Sequence, residues 1–208
     1  MGLLDQVRCP TGLQGRIAAS MMNWGHGALT IWGLTYAAIQ PNFTILDLGC
    51  GGGKTVNRLA QQVPQGKVYG LDHSTDMVAY AKKVNRKFVE QNRVEISEAS
   101  VEKTGFSSDF FDLVTAVETY YFWPSLPDAF TEVLRVLKPN GKLLMINEMV
   151  KDGVYEVKKA ELISKAHVQL YGLDEMCGML RSAGFVEVEV FRKENSPWNA
   201  IAAQKPAP

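Results

Sequence analysis

The segment LDLGCGGGKT, Leu46 to Thr55, places glycines at positions 49, 51, 52 and 53 between an acid, Asp47, and a Lys-Thr pair, Lys54-Thr55. A loop so poor in side chains lets its backbone come close to a ligand. Two phosphate-binding loops have this look, and spacing separates them. A triphosphate loop needs Gly, four residues, then Gly-Lys-Ser/Thr. Counting back from Gly53-Lys54-Thr55 puts its first glycine at 48, where the chain has Leu48. A dinucleotide loop needs G-x-G-x-x-G. Gly49 and Gly51 fit, but the third position is Lys54. Asp47 adds a physical objection to both, because a carboxylate beside the turn repels phosphate and attracts a positively charged ligand.

A loop of this kind must sit where a buried strand gives way to a helix, and the flanking pattern supplies both. Phe43 to Leu48 reads as a short buried strand and Thr55 to Val63 as a helix. Further strands are expected at Lys67–Asp72, Arg93–Ser97, Phe111–Val117 and Lys142–Met149. Between them lie helices from Ser74 to about Glu90 and from Asp128 to Leu137. Leu173 to Ala183 is a last helix, stopped by Gly184, and Phe185–Lys193 with Trp198–Ala203 form a closing hairpin. Regular alternation of strand and helix predicts a doubly wound α/β fold with a mainly parallel, seven-stranded, Rossmann-like sheet and a C-terminal antiparallel hairpin. Thr11–Met22 and Ala28–Ile39 read as two N-terminal helices. The chain is expected to be one domain, 1–208, with residues 1–42 as lid helices and 43–208 as the core.

Composition narrows the class. With 46% apolar and 21% charged residues in 208, the chain can bury a full core. Lys plus Arg equals Asp plus Glu at 22 each, so no basic excess points to nucleic acid. Residues 17–46 carry no formal charge, but the densest apolar part, Gly27 to Ile39, is too short to span a bilayer. The three cysteines, Cys9, Cys50 and Cys177, are far apart, which fits neither a zinc site nor a disulfide framework. A cytoplasmic setting and no metal are expected, with the chain a monomer or homodimer.

A ligand bearing both an ammonium and a sulfonium group suits Asp47, and S-adenosylmethionine is one. The chain resembles the class I S-adenosylmethionine-dependent methyltransferases, in their small-molecule branch. The resemblance rests on ILDLGCGGGKT, VYGLDHSTDMVAYAKK, FDLVTAVETYYFW, EVLRVLKPNGKLLMINE and SAGFVEVEV, in that order. It implies that Asp47 orients the ligand ammonium and that Gly49, Cys50, Gly51 and Gly53 form the loop around the methionine part, with Cys50 as filler. Asp72, ending the second strand, would accept the ribose hydroxyls, and His73 and Met77 would flank the adenosine. Ser100 falls where the family commonly has an Asp for the adenine amine, and Val101 would offer its backbone N–H to the ring. The product would be S-adenosylhomocysteine.

After the fourth strand comes Glu118-Thr119-Tyr120-Tyr121-Phe122-Trp123. Ligands in open parallel sheets sit beyond the carboxyl ends of the strands, so this run borders the transferred methyl. Tyr121 and Trp123 are expected in the pocket, Phe122 in the core. The Asn-Pro-Pro-Tyr type motif of base amino methylation is absent, which points away from nucleic acid and toward a small-molecule acceptor. Methyl transfer needs acceptor, methyl and sulfur in line, and a base only for a protonated acceptor. His26, Glu118 and His167 are the candidates for a base, with Tyr121 beside Glu118, and Glu118 is expected to bind the cofactor or orient substrate rather than remove a proton. A nicotinamide-dependent oxidoreductase and a non-catalytic S-adenosylmethionine-binding protein stay open as alternatives.

Overall fold

In the computed structural model, residues 27–151 and 168–208 are described. Helix α1 spans Gly27–Leu34. Strand β1, Thr44–Leu48, leads into α2, Lys54–Gln62. Strand β2 is Lys67–Asp72, followed by α3, Thr75–Val84, and the short α4, Arg86–Glu90. Then come β3, Val94–Glu98, and β4, Phe111–Val117, with a 3-10 turn at Tyr120–Phe122. Helix α5, Leu126–Val136, runs into β5, Leu137–Asn147. Helix α6, Leu173–Ala183, and strands β6, Val186–Arg192, and β7, Asn199–Gln204, complete it.

The strands form a single sheet in the order β3-β2-β1-β4-β5-β7-β6. β1 through β5 are parallel, and β7 runs antiparallel between β5 and β6. This is the expected mainly parallel α/β sheet with its C-terminal hairpin. The order reverses at β1, whose neighbours are β2 and β4, and a sheet of this kind binds its ligand at that switch point. Each face has its own apolar core. Leu29, Val56, Leu59 and Ala81 cover one face from α1, α2 and α3. Phe130, Val133, Met176 and Leu180 cover the other from α5 and α6.

Two helices differ from expectation. The helix expected to run from Ser74 to about Glu90 breaks at Asn85, whose side chain bonds backward to Ala81 O and outward to Gly53 O. The helix expected over Ala28–Ile39 ends at Leu34, where the Thr35 hydroxyl takes the Trp32 carbonyl. This helix also lies on the sheet: Leu29 and Leu34 are buried in the first core, and Gly33 sits so close to Ile146 of β5 that a Cβ would overlap it. The part of the expected lid that is described is therefore a sheet-covering layer. Thr11–Met22, Trp24, His26 and His167 lie outside the described residues. Among the described residues no helix is long and apolar enough to cross a membrane.

Candidate functional site

β1 delivers Asp47 and the glycine loop to the switch point. Asp47 is 2% exposed, and the hydroxyl of Thr115, its register partner on β4, donates to Asp47 Oδ1 at 2.7 Å. Burial pushes the Asp47 carboxyl from the usual 3.8 up to about 7; the Thr115 bond opposes this and the Asp72 charge adds to it. No cation is among the described groups that shift Asp47.

The loop is held from several sides. Cys50 N–H donates to Leu71 O at 3.0 Å and Gly53 N–H to Cys50 O at 2.8 Å. Gly51 N–H donates to Asp72 Oδ2 at 2.8 Å, and Ser74 N–H to Asp72 Oδ1 at 2.9 Å. Ser74 then caps α3, accepting from Met77 N–H. The glycines do different jobs. A Cβ at Gly49 would fall 2.0 Å from the Thr119 hydroxyl oxygen, so that glycine makes room for Thr119. At Gly51, with φ +48°, a Cβ would meet nothing within 4 Å, so its backbone borders open space. Gly53, with φ +76°, makes room for Ala81 of α3 and for Asn85 at that helix's C-terminal end.

Cys50 turns its sulfur into the first core, against Gly70, and burial pushes its thiol well up. Met77 is buried and His73 exposed, its Nδ1 3.7 Å from Asp72 Oδ1. Ser100 is exposed, with its hydroxyl accepting from Glu102 N–H, and Val101 is buried in the second core. Lys54 opens α2 with its side chain exposed.

Beyond β4 the chain makes a second polar centre. Glu118 adopts a left-handed backbone, φ +53°, unusual for a side-chain-bearing residue. It accepts the Tyr121 hydroxyl at 3.1 Å on Oε2 and the Glu148 N–H on Oε1. Burial pushes its carboxyl from 4.5 up to about 7 against those two bonds. Tyr121 and Trp123, expected to line a pocket, are both buried in the second core, and Phe122 packs partly buried against it. Tyr121 reaches Glu118, while Trp123 Nε1 has no hydrogen-bond partner among the described residues.

Three residues here were missed in the sequence. Thr119 packs on Gly49, and its signal was only its place after Glu118. Asn85 holds Gly53 and carried no distinguishing signal, one polar residue among the lysines and arginine of the expected helix. Asn147, at the end of β5, is fully buried with both amide atoms unpartnered among the described residues.

A sheet of this order, with a glycine loop after β1 and acids ending β1 and β2, defines a class I methyltransferase fold. Comparison with known proteins agrees. The family described as "Methyltransferase domain" matches residues 46–145. A 2-phytyl-1,4-naphtoquinone methyltransferase of Trichormus variabilis is 32% identical over 125 residues, 58% of this chain and 55% of that protein. An uncharacterized methyltransferase of Bacillus subtilis, YdaC, is 23% identical over 193 residues, covering 92% of this chain and 99% of that one. The structure of a putative methyltransferase in complex with the Haloferax volcanii Trm112 methyltransferase activator superposes with a TM-score of 0.77 at 20% identity, covering 92% and 94% of the two chains. Residues 46–145 thus match a methyltransferase domain, and the chain has the fold of the class I S-adenosylmethionine-dependent methyltransferases. It spans about half the length of several curated relatives it matches, 55%, 43% and 40% for three of them.

Proposed function

We propose that this protein transfers a methyl group from S-adenosylmethionine to a small organic acceptor. The observation that carries the reading is the Asp47–Asp72 pair: two buried carboxylates at the switch point of the sheet, beside a bare glycine loop, with no cation among the described groups that shift Asp47. Such a site is costly when empty of positive charge and favours a cationic ligand. The residues fit the cofactor. Asp47 would hold the ammonium, the Gly51 backbone would border the methionine part, and Asp72 has lone pairs left for ribose hydroxyls after accepting two N–H groups. Met77 would pack on the adenosine, and Ser100 with Val101 would meet the adenine edge. Bound there, S-adenosylmethionine supplies an electrophilic methyl on its sulfonium.

Glu118 serves the acceptor end. Its strained backbone at the mouth of the sheet is of the kind that functional sites retain. Held by Tyr121 and the Glu148 amide, it can accept a hydrogen bond from the acceptor's O–H or N–H and take its proton. A carboxyl near 7 is matched to that task at neutral pH. Tyr121 fixes the carboxylate, and the aromatic run around it excludes water. Relatives named for a phytyl-naphthoquinone and for sterols support an organic, ring-bearing acceptor. The test is formation of S-adenosylhomocysteine from S-adenosylmethionine with a small-molecule extract, followed by mass spectrometry for a product heavier by one methylene. Absence of product with every acceptor fraction, while the cofactor binds, would leave a binding protein without catalysis.

A further inference from the structure

Asn85 is 1% exposed and sits where α3 gives way to α4. Its amide group spends both hydrogens. One closes its own helix on Ala81 O at 3.0 Å, and the other crosses 32 positions of sequence to Gly53 O at 2.9 Å. Gly53 O also receives the first bond of α2, from Asn57 N–H at 3.0 Å. The Asn85 Oδ1 has no partner among the described residues. A buried oxygen left unpaired lowers stability, so this amide is not explained by the stability of its own corner. An apolar side chain would bury as well and leave nothing unsatisfied.

The amide's other consequence is the shape of the loop. Gly53 is held in the left-handed region, φ +76° and ψ 16°, with no side-chain cap of its own. From the end of β2, Asp72 accepts the Gly51 N–H. Asp72 and Asn85 thus grip the loop at two points, one through a donor and one through an acceptor. Gly51, itself one of the two gripped points, is a glycine whose backbone borders open space.

We propose that Asn85 is a positioning residue for the cofactor: it holds the glycine loop in its binding conformation before the ligand arrives. The proposal rests on the reading of this loop as the S-adenosylmethionine site. Preorganisation of this sort raises affinity by removing the ordering cost from the binding step.

The test uses the full chain and S-adenosylhomocysteine as probe, in wild type, Asn85→Leu and Asn85→Ala. Leucine keeps the branching and heavy-atom count of asparagine, is bulkier, and lacks the donor; alanine lacks the donor without the added bulk. The expected result is an affinity weaker by roughly tenfold, the scale of one hydrogen bond, in a variant whose melting temperature is close to wild type. Amide hydrogen exchange in the unliganded variant should quicken over residues 50–57 and stay unchanged in β4 and β5. Affinity and exchange equal to wild type in either folded variant would overturn the proposal. Loss of the fold in both variants would also overturn it, making Asn85 a general core residue. A wild-type protein that does not bind the probe would overturn the cofactor reading itself, a result the variants cannot mimic.

Discussion

The backbone N–H of Gly51 donates to Asp72 Oδ2 across 2.8 Å, so the end of the second strand holds the loop that follows the first. The Asp72 carboxylate is therefore occupied on its protein side, by Gly51 and by Ser74, before any ligand is considered. Asp72→Asn should weaken S-adenosylmethionine binding by about 1.5–3 kcal/mol, the scale of hydrogen bonds to a charged group. It should also lower the melting temperature, because an amide can accept at one atom only. Titration calorimetry with thermal melting separates the two effects, and unchanged affinity would show that the ribose is held elsewhere.

Gly49 and Gly51 should respond differently to the same change. Gly51→Ala should fold with a cost of about 1–2 kcal/mol for its left-handed backbone, yet lose cofactor affinity, because the new methyl enters open space beside the loop. Gly49→Ala should lose far more stability, because its Cβ would collide with Thr119. Equal melting temperatures for the two variants would contradict the assignment.

Asp47 predicts a pH dependence of defined sign. Its carboxyl is raised from 3.8 to about 7 in the folded chain. Between those values the folded protein keeps a proton that the unfolded chain has released, so unliganded stability falls as pH rises through the window. A cationic ligand favours the ionised form. Affinity for S-adenosylmethionine should therefore climb from pH 6 to pH 8, and binding at pH 6 should release a proton, seen by calorimetry in buffers of different ionisation enthalpy. A flat affinity with no proton exchange would mean that Asp47 does not meet the ligand's charge. Asp47→Asn should remove the pH dependence.

Glu118→Gln keeps an oxygen to accept the Glu148 N–H or the Tyr121 hydroxyl but cannot take a proton. Turnover should fall by roughly 10²–10⁴-fold, with cofactor affinity changed only a few-fold and the pH–rate limb near 7 abolished. Tyr121→Phe should lower turnover much less, since the Tyr121 hydroxyl holds Glu118 and does not itself take the proton. Full activity in Glu118→Gln would assign the proton to another group or to none.

The sheet was legible because its signals are local. Short apolar runs between glycine, proline and polar turns mark β1 to β7 to within two residues, except that β5 begins at Leu137, five residues before the expected Lys142 and through the expected Lys138–Gly141 turn, and Gly184 stops α6 as its position suggests. The loop was legible for the same reason: Asp47, the glycines and Asp72 are defined by spacing along one strand–loop–helix unit. What spacing cannot carry is a contact between distant elements. The Asn85 bond to Gly53, the fit of Thr119 over Gly49 and the burial of the Asn147 amide depend on which surfaces the topology brings together. The break in the helix at Asn85 follows from that contact, which explains why an unbroken helix to Glu90 looked right in sequence. The apolar character of Gly27–Leu34 likewise showed that the helix covers something, but not whether it covers the cofactor or the sheet.

The most direct test of the account is a calorimetric titration of the full-length wild-type chain with S-adenosylmethionine, with ATP and NADH as comparison ligands. The site described here predicts one-to-one binding of S-adenosylmethionine and none of the other two, because Asp47 attracts the first and repels phosphate. Binding of ATP or NADH without S-adenosylmethionine would contradict it.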